Sequence, residues 1–215
     1  MSKYVKILLI ISAVVLISLL SLRNQCTANT SIAETIHEDT IPTLQELLKI
    51  KVDFAKIYCR EKGLNTNYCI LIDFSIHSGK KRFFVWDFTG DSIKHSSLCA
   101  HGYGKNSTVN KPVFSNIEGS YCSSLGHYKI GVRSYSKWGI NVHYKLHGLD
   151  TTNNNAFKRI VVLHSYEYVP DTEIYPQHLP LGMSQGCPVI SDETMRQIDA
   201  LLKKEKKPML MWIYV

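Results

Sequence analysis

The chain lacks internal repeats, and it has only one long apolar run among its 215 residues. The missing repeats argue against a collagen-like protein, and the single run argues against a multi-span membrane protein. Disorder is also disfavoured, because 45% of the residues are hydrophobic and only 20% are charged. A chain of this length holds one well-buried domain and is too short for two of ordinary size.

The N-terminus carries an export pattern, in which Lys3 and Lys6 precede the apolar run at residues 7–22. This pattern is typical of a secretion signal or a short membrane anchor. The run is slightly shorter than the roughly 20 residues of a comfortable membrane span. We therefore expect residues 1–28 to be a signal peptide cleaved after Ala28, with an anchor as the alternative. Residues 29–40 are polar and predict a tether, so the protein should work in the periplasm or cell envelope.

Acidic residues are fewer than basic ones, 18 against 25, and the formal net charge is +7. Such a charge would suggest a nucleic-acid partner in the cytoplasm, but export removes that partner from reach. A polyanionic envelope matches the charge better. We expect no nucleic-acid binding, and membrane association only through the N-terminal segment.

Export also makes the number of cysteines informative, because exported thiols tend to be oxidised. Once residues 1–28 are removed, an odd number of cysteines remains, namely Cys59, Cys69, Cys99, Cys122 and Cys187. We expect two disulfides among the first four, in any of three possible pairings, with Cys187 left as a free thiol. The alternative is that all five are reduced and buried as small hydrophobic residues.

The domain proper is expected to span residues 41–215. Apolar residues at three- and four-residue steps predict an N-terminal helix at 41–63. Short β-rich runs follow at residues 69–76, 82–88, 92–100, 128–132, 141–146 and 159–166, then a helix at 192–204 and a strand at 209–215. The pattern predicts a mainly β fold, a β-sandwich or curled sheet, with one N-terminal and one C-terminal helix.

The sharpest local motif is Ser-Gln-Gly-Cys-Pro at residues 184–188, which follows an irregular loop. We expect a cysteine in such a loop to be accessible and not packed in the core. Gly186 lets the backbone approach a substrate carbonyl, and we expect the N–H groups of Gln185, Gly186 and Cys187 to converge on an oxyanion. The alternative is a turn that carries a structural cysteine.

His164 supplies the second half of a candidate active site, because it ends the apolar strand at residues 160–163. A thiol is mostly protonated at neutral pH, so a nucleophilic cysteine needs an imidazole within reach. A backbone carbonyl, such as that of Ser165, would orient the imidazole through Nδ1. The pair of motifs is much more specific than either motif alone.

These motifs and several others, in the same order, resemble the murein L,D-transpeptidase catalytic family, in the branch with a Ser-x-Gly-Cys-Pro motif. The resemblance runs from about Tyr68 to Val215. It passes through residues 71–75, 100–104, 114–116, 123–126, 148–150, 155–156, 159–164 and 184–188.

By that resemblance Cys187 is the nucleophile, His164 is the base, and the main chain of Ser165 supports the histidine. The residues implied in oxyanion or substrate binding are Ser184, Gln185, Gly186, Arg159, Ser115 and Asn116. The implied reaction forms a thioester on a peptidoglycan tetrapeptide stem, releases D-alanine, and ends in a 3–3 cross-link to a second stem. The partners are therefore stem peptides. We expect a monomer with no metal and no cofactor.

Two departures from the family pattern concern substrate contacts. Gln185 stands where the widespread motif has histidine, and Met183 stands where this branch often has arginine. The anionic contact of that arginine is therefore missing or supplied by Arg159.

Other enzyme classes fit less well. A papain-like peptidase has its cysteine before its histidine, whereas His164 precedes Cys187. A sortase would carry a strand arginine after its cysteine, and Arg196 lies in a predicted helix. An L,D-carboxypeptidase that trims stems by hydrolysis and a non-catalytic wall-binding module remain as alternatives.

A metal site is the last alternative, since His143 and His147 have the four-residue spacing of zinc ligands on a helix. They lie in a strand-like run with no acidic third ligand beside them. We expect no zinc there, and small effects when either histidine is replaced.

Overall fold

The computed structural model describes residues 43–215. The predicted signal or anchor at 1–28 and the tether at 29–40 lie outside the described residues. No helix within residues 43–215 is long and apolar enough to cross a membrane.

Helix α1 spans Leu44–Glu61, within the predicted bounds. A capping box begins it: the Thr43 hydroxyl accepts the Glu46 N–H, and the Glu46 carboxylate accepts the Thr43 N–H at 2.7 Å. One face of the helix packs on the sheet through Leu48, Val52, Ala55 and Cys59. This amphipathic face is what the three- and four-residue spacing predicted.

The eight strands form a single curled sheet with the order β3-β2-β1-β8-β4-β5-β6-β7. The bounds are β1 Tyr68–Asp73, β2 Phe83–Asp87, β3 Ser92–Ser97, β4 Gly126–Tyr135, β5 Val142–Gly148, β6 Val162–Ser165, β7 Val189–Ile190 and β8 Leu210–Tyr214. The β1–β8 and β6–β7 pairs are parallel, and the others are antiparallel. A bridge between Ala100 and Val189 brings the two ends of the sheet together, so the sheet nearly closes on itself.

Both faces of the central strands are buried, which explains their continuous apolar sequences. In β1, Cys69 and Leu71 pack with α1, whereas Ile70 and Ile72 belong to the main core on the other face. Helix α2, Asp192–Leu202, contributes its apolar side to that core. The prediction of a mainly β fold with two flanking helices is confirmed.

Several strand boundaries differ from the prediction. β4 continues to Tyr135 through a largely exposed segment, because its hairpin partner β5 supplies the hydrogen bonds. β6 is shorter than predicted, since Arg159 and Ile160 belong to a turn. β7 was not predicted, because its two residues lie between Pro188 and the α2 N-cap Ser191 and carry no periodic pattern.

The two expected disulfides are absent: all five cysteines of the described residues are free. Cys59 and Cys69 pack in the core beneath α1, Cys99 lies in the main core, and Cys122 is buried in a loop. Cys59, Cys69 and Cys99 therefore fill apolar space as small hydrophobic residues, as the alternative above described. Cys187 is only partly buried.

Candidate active site

The pairing of β6 with β7 brings the two candidate catalytic residues together. His164 lies opposite Val189 in this parallel pair, and the chain reaches β7 through the loop that carries Cys187. The Val162 N–H donates to Cys187 Sγ at 3.4 Å. Cys187 and His164 both line one cleft, together with Val162.

The orientation of His164 is set by its neighbour, as the sequence suggested. Nδ1 lies 2.9 Å from the carbonyl oxygen of Ser165. A carbonyl only accepts hydrogen bonds, so Nδ1 carries the proton and Nε2 of the neutral ring keeps its lone pair. The imidazole is therefore in the tautomer that a general base needs.

Ser165 also supports a wall of the cleft through its hydroxyl group. Its Oγ accepts the Ile140 N–H at 3.1 Å. This bond anchors the turn between β4 and β5, which carries Lys137 and Trp138. Gly139 in that turn has φ +58°, and a Cβ there would lie 2.1 Å from Ser165 Oγ, so only glycine fits.

The cysteine loop is held by Ser184, which is buried. Its Oγ accepts the Gly186 N–H at 3.0 Å and donates to the Cys187 carbonyl at 2.6 Å. The Gly186 N–H is thus already used and is not a free oxyanion donor. The N–H groups of Gln185 and Cys187 have no hydrogen-bond partner within residues 43–215.

Gly186 itself is required by the backbone. Its φ is +113°, and a Cβ would lie 2.6 Å from the Cys122 carbonyl oxygen and 3.2 Å from Arg159 Nη2. A side chain would therefore clash with the neighbouring loop and displace Cys187.

Arg159 supports that loop. Its guanidinium donates to the carbonyls of Ser115 at 2.9 Å and Cys122 at 2.5 Å, and to the hydroxyls of Ser124 at 3.2 Å and Ser120 at 3.4 Å. With these donors engaged, Arg159 positions residues 115–124 behind the cysteine loop and does not line the cleft.

Ser115 and Asn116 also lie outside the cleft lining. The Asn116 side chain donates to the Thr151 carbonyl at 3.1 Å and to Asn154 Oδ1 at 2.7 Å, and it accepts the Asn155 N–H at 3.2 Å. It therefore joins two loops of the domain, which explains its place in the family pattern without a substrate contact.

The cleft has a volume of about 490 Å³. Its lining combines the catalytic pair and the cysteine loop with residues from β4, β5 and the turn between them: Tyr135, Ser136, Lys137, Trp138, His143, Ile160, Val162, His164, Tyr166, Gly182, Met183, Ser184, Gln185 and Cys187. Sequence reasoning missed the wall at residues 135–138, because these residues carry no motif. Lys137 is the one lysine among these lining residues, and none of them is an arginine.

His143 and His147 have different surroundings. His143 lines the cleft and lies directly opposite His164 in the β5–β6 register. His147 stacks on Phe157 with ring centroids 4.9 Å apart, outside the cleft. The two rings therefore do not share one site.

Burial shifts both candidate catalytic pKa values. Burial raises the pKa of the Cys187 thiol, and the Val162 N–H and the charge of Arg159 lower it in part. Burial lowers the pKa of His164, and its bond to Ser165 opposes the shift. At neutral pH the thiol and the imidazole are therefore both uncharged, and the imidazole is available to take the thiol proton.

These shifts predict a pH profile for alkylation of Cys187 by iodoacetamide. Because the thiolate is the reactive form and its pKa is raised, the rate should still increase above pH ~8.5, where an ordinary thiol is half ionised. Mass-spectrometric mapping should place the label on Cys187 and spare the four buried cysteines. Cys187→Ser provides the background. A plateau reached below pH ~8 would contradict the raised pKa.

A curled sheet whose cleft is lined by a cysteine and a histidine is consistent with a cysteine acyltransferase. The L,D-transpeptidase catalytic domain family matches residues 44–214, and the chain belongs to this family. The resemblance to the L,D-transpeptidase catalytic family is therefore confirmed. No curated protein matches the chain.

The solved structures similar to the chain include the following three. Two are of the helical cell shape determining protein Pgp2 from Campylobacter jejuni, the second a point mutant, each at 11% identity. They cover 68% and 80% of this chain with TM-scores of 0.43 and 0.45, and the chain spans 46% and 56% of their length. The third is an L,D-transpeptidase from Xylanimonas cellulosilytica, at 10% identity and TM-score 0.38, with 74% of this chain and 68% of that chain covered.

Proposed function

We propose that the protein is an exported cell-wall L,D-transpeptidase that forms a thioester between Cys187 and a tetrapeptide stem of peptidoglycan. The proposal rests on one arrangement above all: a partly exposed thiol and a histidine with its Nε2 lone pair free line one cleft. Membership of the L,D-transpeptidase catalytic domain family supports the substrate class. The N-terminal sequence pattern supports export.

Acylation begins when His164 Nε2 takes the proton of the Cys187 thiol as sulfur attacks the carbonyl of the third stem residue. The N–H groups of Gln185 and Cys187 are free to stabilise the oxyanion of the tetrahedral intermediate. The protonated His164 then donates its proton to the departing amine of D-alanine. The products of this step are the thioester and free D-alanine, and His164 is neutral again.

The second step resolves the thioester. The amine of a second stem attacks the thioester carbonyl, His164 accepts a proton from that amine, and the thiolate departs and regains the proton. The result is a 3–3 cross-link and the free enzyme. The lowered pKa of His164 suits this step, because a neutral imidazole can accept the proton of the acceptor amine.

Incubation with purified disaccharide tetrapeptides, followed by mass spectrometry, tests the proposal. We expect a dimer that has lost one D-alanine, with its cross-link between the third residues of the two stems. Tripeptide monomers without dimers would indicate a carboxypeptidase. Unchanged substrate with folded protein would contradict both activities.

Lys137 is proposed to contact the carboxylate of the departing D-alanine, the anionic role considered above for Arg159. Lys137 has no salt bridge with any described residue and lines the cleft. Lys137→Met should raise the KM for tetrapeptide about 3- to 10-fold, as expected for a charged hydrogen bond made by an exposed side chain. The effect should shrink at high salt.

Lys129→Met is the matched control, since Lys129 lies in a separate groove. Steady-state kinetics should give an unchanged KM for this control. If Lys137→Met has the KM of the parent at low salt, Lys137 does not bind the substrate.

A further inference from the structure

His143 is placed beside the catalytic histidine by the sheet itself. It faces His164 directly across the antiparallel β5–β6 pair. Opposed side chains in such a pair lie on the same face of the sheet with Cβ atoms about 4.5–5.5 Å apart. Both rings line the cleft, so a peptide that reaches His164 also passes His143.

The His143 ring has an unsatisfied polar atom. Its Nε2 is buried and has no hydrogen-bond partner. Buried polar atoms are nearly always paired, so an unpaired one at a cleft calls for an explanation. Two other side-chain atoms of the described residues share this state, in Trp86 and Asp192, but neither residue lines the cleft.

The imidazole of His143 is held on one side by a hydrogen bond with the backbone of Tyr135. Burial lowers the pKa of His143, Lys145 lowers it further, and the backbone of Tyr135 opposes these shifts. A neutral imidazole carries one N–H and one lone pair. Nε2 is therefore the nitrogen that still lacks a partner, in a ring that lines the cleft.

We propose that His143 is a substrate-binding residue whose unpaired Nε2 forms a hydrogen bond with a main-chain amide group of the bound stem peptide. The proposal rests on the proposed function for the substrate class. It assigns His143 to the donor peptide, next to the carbonyl that Cys187 attacks. His143 thereby helps to hold that carbonyl between the thiol and His164, while His164 alone moves the proton.

Binding of a stem tetrapeptide to Cys187→Ser protein, measured by calorimetry, isolates this contact from turnover. Adding His143→Phe, which keeps the ring and removes its nitrogens, should weaken the Kd about 3- to 10-fold, the effect of one lost hydrogen bond. Adding His143→Gln, whose amide returns a polar group near the Nε2 position, should restore most of the affinity. His147→Phe, on the same face of β5 but outside the cleft, should leave the Kd unchanged.

The same His143 changes in the enzyme that retains Cys187 complete the test. The rate of Cys187 alkylation should stay within about two-fold of the parent, because His164 keeps its bond to Ser165. A Kd unaffected by His143→Phe, a glutamine variant as weak as the phenylalanine variant, or an alkylation rate that falls in parallel would each overturn the proposal. Tetrapeptide that binds but is never converted would defeat the proposed function and leave this inference standing. Absence of any binding would defeat both.

Discussion

Cys187→Ser is expected to remove transpeptidation almost completely, with a loss of more than about 10³-fold in turnover. A serine hydroxyl is far less acidic than a thiol, and the neutral His164 is arranged to take a proton from the more acidic group. The substitution is nearly isosteric, so the Ser184 bonds that hold the loop should persist. Turnover of disaccharide tetrapeptides, followed by mass spectrometry, provides the measurement.

A second cysteine variant separates loss of the nucleophile from loss of a thiol in general. Cys122→Ser changes a buried cysteine in the loop behind Gly186. It should retain most of the activity if only Cys187 forms the thioester. Persistent cross-linking by Cys187→Ser would place the nucleophile elsewhere.

His164→Ala should lower the rate of acylation about 10²- to 10⁴-fold, the usual contribution of a general acid–base group. His164 both removes the thiol proton and protonates the departing D-alanine, so the loss should appear in kcat more than in KM. Single-turnover assays with tetrapeptide measure this step. Circular dichroism should show an intact fold, because the substitution leaves the main-chain pairing of β6 with β5 and β7 in place.

His147→Ala is the reference for this experiment, since that histidine stacks on Phe157 away from the cleft. Its turnover should remain close to that of the parent. Near-parent turnover in His164→Ala would defeat the acid–base mechanism, and an equal loss in His147→Ala would point to a role for that ring that the cleft does not explain.

The candidate catalytic pair could be proposed from the sequence because each member is carried by a short local pattern. An apolar strand that ends in His164, and a glycine directly before Cys187, are visible without knowledge of the fold. The support from Ser165 is equally local, because the bond to His164 Nδ1 joins adjacent residues. The helices and most strands were also predictable, since their apolar periodicities are regular.

The rest of the cleft depends on contacts between distant segments. Lys137 and Trp138 reach it because Ser165 Oγ anchors the turn at Ile140, 25 residues away in sequence. His143 reaches it because the β5–β6 register sets it opposite His164. No pattern in the sequence reports that register.

Arg159 shows the opposite limit of sequence reasoning. Because Met183 replaces an arginine of the family pattern, Arg159 was a candidate for the anionic contact. Its hydrogen bonds go instead to loop carbonyls and hydroxyls. A charged residue in a family motif can thus hold loops in place through hydrogen bonds and make no substrate contact. Ser184 also serves the backbone. Its hydroxyl accepts the hydrogen bond of the Gly186 N–H, which we had expected to point at the oxyanion.

The central claim, a covalent acyl-enzyme on Cys187, is tested most directly by the intact mass of the protein after incubation with a carbapenem. The family resemblance implies that the β-lactam carbonyl acylates the nucleophile, with opening of the ring and no leaving group. The account predicts a mass increase equal to one whole carbapenem in the parent, mapped to the peptide that contains Cys187, and no increase in Cys187→Ser. An adduct of the same size in Cys187→Ser, or none in the folded parent, would contradict it.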